Sequence, residues 1–413
     1  MQDIYIAGVG MTAFGRLLER SVQDLVGEAV SLALHDAGAT PADVGSAFYA
    51  TMTNGLFQGQ TAIPGPIAMR HAGLEGIPVF TVENACASGS SAFNLATLAL
   101  RAGECDIALA VGAEKMNIAD KVKMFSAFDG GWDVSTVEQN KATLLAIGAG
   151  MTPPPGTMSE KPYSVFMDVY AAFCRHHMKT YGTTARQIAA VAAKNHRHSV
   201  HNPLAQFREA FSIEQVLAAP PIAYPLTLPM CSPISDGAAA VVVCNAAGLK
   251  RLRGEARRAV RVLASVVQTG SQRSIDEPHR IIAHLAAKKA YEQAGVGPAD
   301  VDVAEVHDAT AMGEILNAES LMLVPFGEGG PAAERGDFTV GGRMPINPSG
   351  GLESKGHPIG ATGLGQLHEL VTQLRGEAGQ RQVEGARVAA HENGGGIFGI
   401  EEAVVVVNVL AAQ

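Results

Sequence analysis

Cysteine is scarce: five residues in 413, an odd number scattered along the chain, which excludes a disulfide framework. Basic residues are also in deficit. Lys and Arg number 31 against 40 Asp and Glu, a formal charge of −9, and the basic clusters that stand out are Lys250-Arg251-Leu252-Arg253 and Arg257-Arg258. A nucleic-acid-binding chain usually carries the opposite balance. No apolar run approaches the roughly 18 residues of a membrane span. Met1-Gln2-Asp3-Ile4 lacks the basic start of a signal peptide, and Ala411-Ala412-Gln413 carries no peroxisomal address. Charged residues make up only 17% of the chain and hydrophobic ones 47%, ample material for a buried core and about two to three domains' worth of length. The 46 glycines fall in short clusters, against a collagen-like or disordered reading. These features predict a soluble, cytoplasmic globular protein without a nucleic-acid or membrane partner.

What the chain does have is an internal repeat. The stretch Ala33-Leu34-His35-Asp36-Ala37-Gly38-Ala39-Thr40-Pro41-Ala42-Asp43-Val44 returns as Ala290-Tyr291-Glu292-Gln293-Ala294-Gly295-Val296-Gly297-Pro298-Ala299-Asp300-Val301. Each copy closes a helical stretch with Gly, turns on Pro-Ala-Asp, and runs into a short strand-like segment. A second pair matches Cys86-Ala87-Ser88-Gly89-Ser90-Ser91 with His357-Pro358-Ile359-Gly360-Ala361-Thr362-Gly363. Each opens a helix, through Leu100 and Leu374, followed by a strand and a Gly turn at 106–112 and 387–394. A third pairs Gly237-Ala238-Ala239-Ala240-Val241-Val242-Val243 with Glu402-Ala403-Val404-Val405-Val406-Val407; such apolar runs read as strands buried on both faces. Two α/β halves with one element order follow. The first holds an insertion at about 119–233, with a Pro/Gly-rich stretch, predicted helices at 165–180 and 184–200 and several histidines, a length usually reserved for a lid or binding loop.

Cys86 lies between a predicted strand and a small-residue helix. A cysteine on a helix N-terminus meets the positive end of the dipole, which favours thiolate; the bland alternative is a buried small hydrophobe. Cys105, Cys174 and Cys244, within apolar or helical stretches, read as that alternative. His357 occupies the equivalent turn of the other half, so the repeat brings a thiol and an imidazole toward one junction, the arrangement of an activated nucleophile. His307-Asp308 ends a predicted strand at the same kind of sheet edge, where α/β proteins bind ligands. His176, His196, His198 and His201 are metal-like by count, but their spacings fit no single site, and no metal is expected.

The run Asn347-Pro348-Ser349-Gly350-Gly351-Leu352-Glu353-Ser354-Lys355-Gly356-His357-Pro358-Ile359-Gly360-Ala361-Thr362-Gly363 closely resembles the Gly-His-Pro region of thiolases. Gly112-Ala113-Glu114-Lys115-Met116, Lys194-Asn195-His196-Arg197-His198-Ser199 and the segment from Leu226 to Gly237 resemble the sterol-carrier-protein branch of that family. The resemblance implies a duplicated five-layered αβαβα core with an inserted loop domain. Its boundaries would be 1–118 plus 234–268 for the first half, 119–233 for a loop domain over the CoA site, and 269–413 for the second half. It implies Cys86 as the nucleophile that becomes acylated, and His357 as its activator and one donor of an oxyanion hole. His307 would be the other donor; the backbone N–H of Cys86 and of Gly394 or Gly395 would form a second hole. Ser232 would lie along CoA. Substrates would be CoA and acyl-CoA, with no covalently bound cofactor, and the assembly a homodimer, with pairing into tetramers left open.

One departure stands out. Thiolases carry a second cysteine for proton transfer, in a C-terminal Cys-x-Gly turn or a His-Asp-Cys-Phe motif. Here these places read His391-Glu392-Asn393-Gly394-Gly395 and His307-Asp308-Ala309-Thr310. Glu392 falls at or beside the first, with His391 or Asn393 there on a one-residue shift. A carboxyl in a dry pocket can titrate near neutrality; alternatively Glu392 merely bonds to the backbone of the Gly turn. The expected function is a thiolase-type acyltransferase, cleaving a 3-oxoacyl-CoA or running the reverse Claisen condensation through an acyl-Cys86 intermediate. Two alternatives keep the fold: a retro-aldolase working with a small zinc-containing OB-fold partner, and a catalytically silent acyl-CoA-binding subunit.

Overall fold

The computed structural model describes residues 2–413. The first half runs β1 (Ile4–Met11), α1 (Val22–Ala37), β2 (Ser46–Ala50), β3 (Val79–Val82), α2 (Ser88–Ala102) and β4 (Ile107–Lys115). An excursion containing helices α3 (Phe166–Tyr181) and α4 (Ala185–Ser199) leads to β5 (Asp236–Asn245). The second half runs β6 (Val260–Thr269), α5 (Ile282–Ala294), β7 (Val303–Glu305), α6 (Thr362–Leu374), β8 (Val388–Phe398) and β9 (Glu401–Ala411); β6, placed in the first half by the boundary expected at 268, pairs with β9 and belongs to the second.

These strands form one nine-stranded sheet in the order β3-β2-β4-β5-β1-β6-β9-β8-β7. Outward from the centre, β1-β5-β4-β2 is answered by β6-β9-β8-β7. The pairings agree as well: antiparallel, antiparallel, parallel in each half. Even β3 has a trace of a counterpart, the parallel bridge of Ile346 to Ala304. The halves join through Tyr5–Arg261 and Ile6–Val260 at the ends of β1 and β6. The sequence repeat is therefore a structural duplication.

Alternation along the strands builds the layers. In β5, Ala240, Val242 and Cys244 face Leu25, Val26 and Ala29 of α1, while Ala239, Val241 and Val243 face the opposite way. There they meet Phe93 and Leu100 of α2, Leu364 and Leu367 of α6, and Ala389 and Leu410 of the second half. Val405, Val407 and Val409 of β9 pack outward on Ile282 and Ala286 of α5. Helix, sheet, the α2/α6 pair, sheet and helix make the five layers, and both sheet faces are apolar because both are covered. The excursion shares this core: Tyr170 and Cys174 of α3 and Ile188 and Val191 of α4 lie in the α5 cluster, while Trp132, Leu144 and Val169 form a small cluster with Ile397 of β8.

The two halves meet closely where β4 ends. A Cβ on Gly112 would lie 2.0 Å from the Gly360 carbonyl oxygen, a backbone atom of the opposite half. Gly112→Ala is therefore expected to cost about 3 kcal/mol through overpacking, read as a lower denaturation midpoint in urea; an unchanged midpoint would contradict this account of the junction.

Candidate active site

Cys86 sits in a single 3-10 turn, Ala85–Ala87, between β3 and α2. Ala85 has φ 48°, left-handed for a residue with a Cβ, a strain that side chains hold in place. The Ser88 hydroxyl accepts from Asn84 N (2.8 Å) and donates to the Ala85 carbonyl (2.6 Å); the Asn84 amide reaches Ser91 Oγ at 2.9 Å. Gly395 of β8 backs the turn so closely that a Cβ there would lie 2.2 Å from the Asn84 carbonyl oxygen. The small residues around Cys86 are thus packing requirements of the turn.

From the other half, His357 enters on the turn before α6. Its backbone N–H donates to Ser235 Oγ at 2.8 Å. Its Nδ1 lies 2.7 Å from Thr362 Oγ1, whose own contact with the Pro358 carbonyl, 3.0 Å, uses the hydroxyl hydrogen. Thr362 therefore accepts from Nδ1–H, leaving the lone pair of Nε2 free. Cys86, His307 and His357 converge: a ligand atom from each lies within 4.8 Å of the other two, and the imidazole centroids are 5.4 Å apart.

The cavity over these groups has a volume of about 280 Å³. Met52, Met116, Phe125, Phe128, Phe166, Met167 and Tyr170 line it, with Ser232, Gly395, Gly396 and Glu402. Burial dominates the electrostatics. It pushes the Cys86 thiol up to about 12, helped by the Glu402 and Glu114 carboxyls, so the thiolate expected from the helix N-terminus is not the resting form; desolvation outweighs the dipole. Burial also holds His307 down to about 4 and His357 well below the usual imidazole range. The site rests as a thiol beside two neutral imidazoles. Both ring nitrogens of His307 are buried without a partner, so its one N–H is available to a ligand oxygen.

Glu392 is fully buried and does not line the cavity. Its Oε2 accepts the His307 backbone N–H at 2.9 Å, a backbone bond to the end of β7 rather than to the Gly turn expected as the alternative, and Gly394 likewise stands behind the lining. The histidines of the insertion are engaged separately: His196 contacts Pro229 O and Ser354 Oγ, and His198 contacts Asn347 O and Val340 N. Sequence reasoning missed Thr362 as the partner of His357. It also missed Glu114, whose carboxylate accepts from Thr51 Oγ1, Met52 N, Thr53 N, Thr53 Oγ1 and, across the junction, Gly360 N, all at 2.7–3.0 Å.

The comparisons agree with this architecture. Residues 4–215 match the family model described as "Thiolase, N-terminal domain" and residues 264–408 that described as "Thiolase C-terminal domain-like". The chain belongs to the thiolase family. It is 40% identical over 404 residues to the acetyl-CoA acetyltransferase of Methanothermobacter thermautotrophicus, covering 97% of this chain and 98% of that one. It is 38% identical to human sterol carrier protein 2, over 98% of this chain and 71% of that protein. Benzoylsuccinyl-CoA thiolase subunit BbsB of Thauera aromatica is 36% identical, over 96% and 95%. A solved structure, the "Ltp2-ChsH2(DUF35) aldolase", shares the fold with a TM-score of 0.77 at 23% identity, covering 99% and 98%. Within the family the chain is a thiolase-type acyltransferase acting on CoA thioesters. No helix among the described residues is long and apolar enough to cross a membrane.

Thr362→Val would leave the fold and the Cys86 turn in place but free His357 to rotate and to change tautomer. Loss of one such hydrogen bond, about 1–1.5 kcal/mol, predicts about a tenfold fall in kcat with little change in KM, measured by steady-state acyl transfer.

Proposed function

We propose that Cys86 is the nucleophile, His357 its base, and His307 with the protonated His357 the donors that stabilise a thioester enolate oxygen. The carrying observation is the convergence of these three residues on the floor of one apolar cavity, with the Nε2 lone pair of His357 free. With the thiol pushed up to about 12, attack needs a base, and a neutral imidazole is one. After taking the Cys86 proton, Nε2 becomes a donor, so one ring serves both tasks in turn. The backbone N–H groups of Cys86 and of the Gly394–Gly395 stretch would hold the oxygen of the acylation intermediate; Gly395 lines the cavity. Such donors are worth a few kcal/mol each in a dry site. Ser232, on the cavity wall, would lie along CoA, with 119–233 as the cover.

The substrate we infer is a 3-oxoacyl-CoA whose acyl part is bulky and apolar, an aromatic ring being the first to try. Phe125, Phe128, Phe166 and Tyr170 present ring surface to the site, and Phe166 is itself fixed by stacking on Trp132 at 5.0 Å. The name of the Thauera relative supports the same class. The retro-aldol alternative leaves the Cys86–His357 pair without a task. Incubation with acetyl-CoA and with benzoyl-CoA should add the acyl mass to Cys86, the aromatic group at the lower concentration; Cys86→Ala should take up neither. Acylation of another residue, or none in the wild-type protein, would overturn the assignment.

We further propose a cytoplasmic homodimer built on the β3 edge. Phe80 of that free strand is 53% exposed, and Leu95 and Leu98 of α2 are 38% and 47% exposed, apolar surface of the kind a two-fold contact covers. Light scattering at micromolar concentration should give twice the chain mass, and Phe80→Glu should halve it.

A further inference from the structure

Resting on the assignment of Cys86 and His357 above, we propose that Glu402, at the start of β9, is the second proton carrier of this enzyme, protonating the departing enolate carbon and taking the proton of the incoming CoA thiol. Glu402 lines the cavity of Cys86, His307 and His357, whereas Glu392 lies outside it. Its Oε1 stands 4.0 Å from His307 Nδ1, so the carboxyl flanks the imidazole assigned to the enolate oxygen, where an adjacent enolate carbon would face it. The side chain crosses the face of β8: a Cβ on Gly394 would lie 2.5 Å from Oε1. The carboxyl of β9 thus occupies space that a side chain on β8 would otherwise fill, and the bare glycine makes room for it.

Three further features suit the role. The cation nearest to this strand start, Arg273, is committed to Glu401 at 2.6 Å, leaving Glu402 unpaired. Glu402 also borders a second cavity, of about 90 Å³, whose wall includes Tyr181. Tyr181 in that wall is 39% exposed, so the carboxyl faces a second space besides the cavity that holds Cys86. Burial and the neighbouring Glu401 raise the carboxyl to about 7, where both its forms are populated at neutral pH.

The cycle closes on these groups. The Cys86 S–H proton passes to His357; the sulfur attacks C3 of the 3-oxoacyl-CoA; the C2–C3 bond breaks; C2 takes the proton of the Glu402 carboxyl, and the C1–C2 fragment leaves as acetyl-CoA while the shortened acyl group stays on Cys86. The Glu402 carboxylate then accepts the S–H proton of CoA. The CoA sulfur attacks the Cys86 thioester carbon, the shortened acyl-CoA is released, and the leaving Cys86 thiolate recovers its proton from His357. No oxidant or further reactant is needed.

The test compares two readouts in wild type, Glu402→Gln and Glu402→Asp: Cys86 acylation by acetyl-CoA, read by intact mass, and exchange of the C2 protons of acetyl-CoA into D₂O, read by NMR. Glu402→Gln should still reach full Cys86 acylation, more slowly because the CoA thiolate then leaves without its proton donor, yet lose exchange by at least a hundredfold, and Glu402→Asp should exchange at an intermediate rate. If Glu402→Gln does not fold, Glu402→Asp decides alone: exchange slowed with acylation intact supports the role, and undiminished exchange overturns it. Full exchange in a folded Glu402→Gln overturns it as well. Absence of Cys86 acylation in the wild type would instead defeat the underlying assignment.

Discussion

Glu114 is the point on which the catalytic geometry hangs. Among the described residues the two halves share two residue pairs of sheet ladder and the isolated bridge of Ile234 to His357, so their mutual position rests largely on side-chain contacts between them. At the end of β4 the Glu114 carboxylate gathers the backbone of Met52 and Thr53 from one half and the N–H of Gly360 from the other. Burial drives its carboxyl up, and the converging donors supply the opposing stabilisation. Gly360 lies three residues beyond His357, and the same turn presses on Gly112 and Gly89. Anchoring Gly360 to Glu114 therefore sets how far His357 stands from Cys86. A buried carboxylate bridging two halves is costly unless its partners are all in place, which favours a single docking geometry.

His307 is fixed by comparable means from below. Asp308, next to it, accepts from Leu352 N at 2.8 Å and Asn195 Nδ2 at 3.1 Å, and Asn195 also reaches Glu314. Lys194 of α4 pairs with Glu314, and Lys355 with Glu305 at 3.1 Å. This buried network ties α4 of the insertion, the His307 loop and the Gly-His-Pro segment together. The excursion between β4 and β5 is thus structural as well as covering: without α4, Asp308 would lose a partner and His307 its orientation. Rigidity under the site is matched by dryness above it. With thiol and imidazoles all neutral, charge on these three groups arises only as substrate arrives, when fixed donors act at their greatest strength.

The duplicated fold was legible because a repeat in sequence needs only local signals, Gly stops, Pro-Ala-Asp turns and apolar runs, to be seen twice. Cys86 and His357 were legible for the same reason: they occupy one position in two copies. His307 stood out at the end of a predicted strand, its role as a donor came through the family resemblance, and Ser232 came through that resemblance alone. Thr362 was within reach, five residues beyond His357 on a helix start, yet nothing in spacing tells which hydroxyl meets a ring nitrogen. Glu114 stood in a recognised motif, but its partners come from Thr51–Thr53 and Gly360, far apart in the chain. Glu392 looked right by alignment with a missing cysteine. The structure turns it behind the His307 backbone, and the carboxyl facing the cavity arrives from the neighbouring strand. Such cross-strand placement depends on the register of β8 with β9 and on the left-handed Gly396 at φ 62°, neither of which the sequence states.

Comparison of the two copies shows how a duplicated scaffold acquires one asymmetric site. β5 and β9 hold the same place in their halves, and each opens on a buried acid with a cation: Asp236 with Lys115 at 3.1 Å, Glu401 with Arg273 at 2.6 Å. In the first copy Asp236 is further saturated by the N–H groups of Met116, Asn117 and Leu17, and the next residue is Gly237, whose missing Cβ makes room for Phe14 at 2.4 Å. There the strand start is sealed by an aromatic ring. In the second copy the next residue is Glu402, and its carboxyl opens onto the cavity instead. The turn before α2 carries the proposed nucleophile and the turn before α6 its proposed base, while the start of β5 is closed and the start of β9 carries an unpaired acid. Each structural element is used twice, and the chemistry arises from side chains that differ between the copies at equivalent positions.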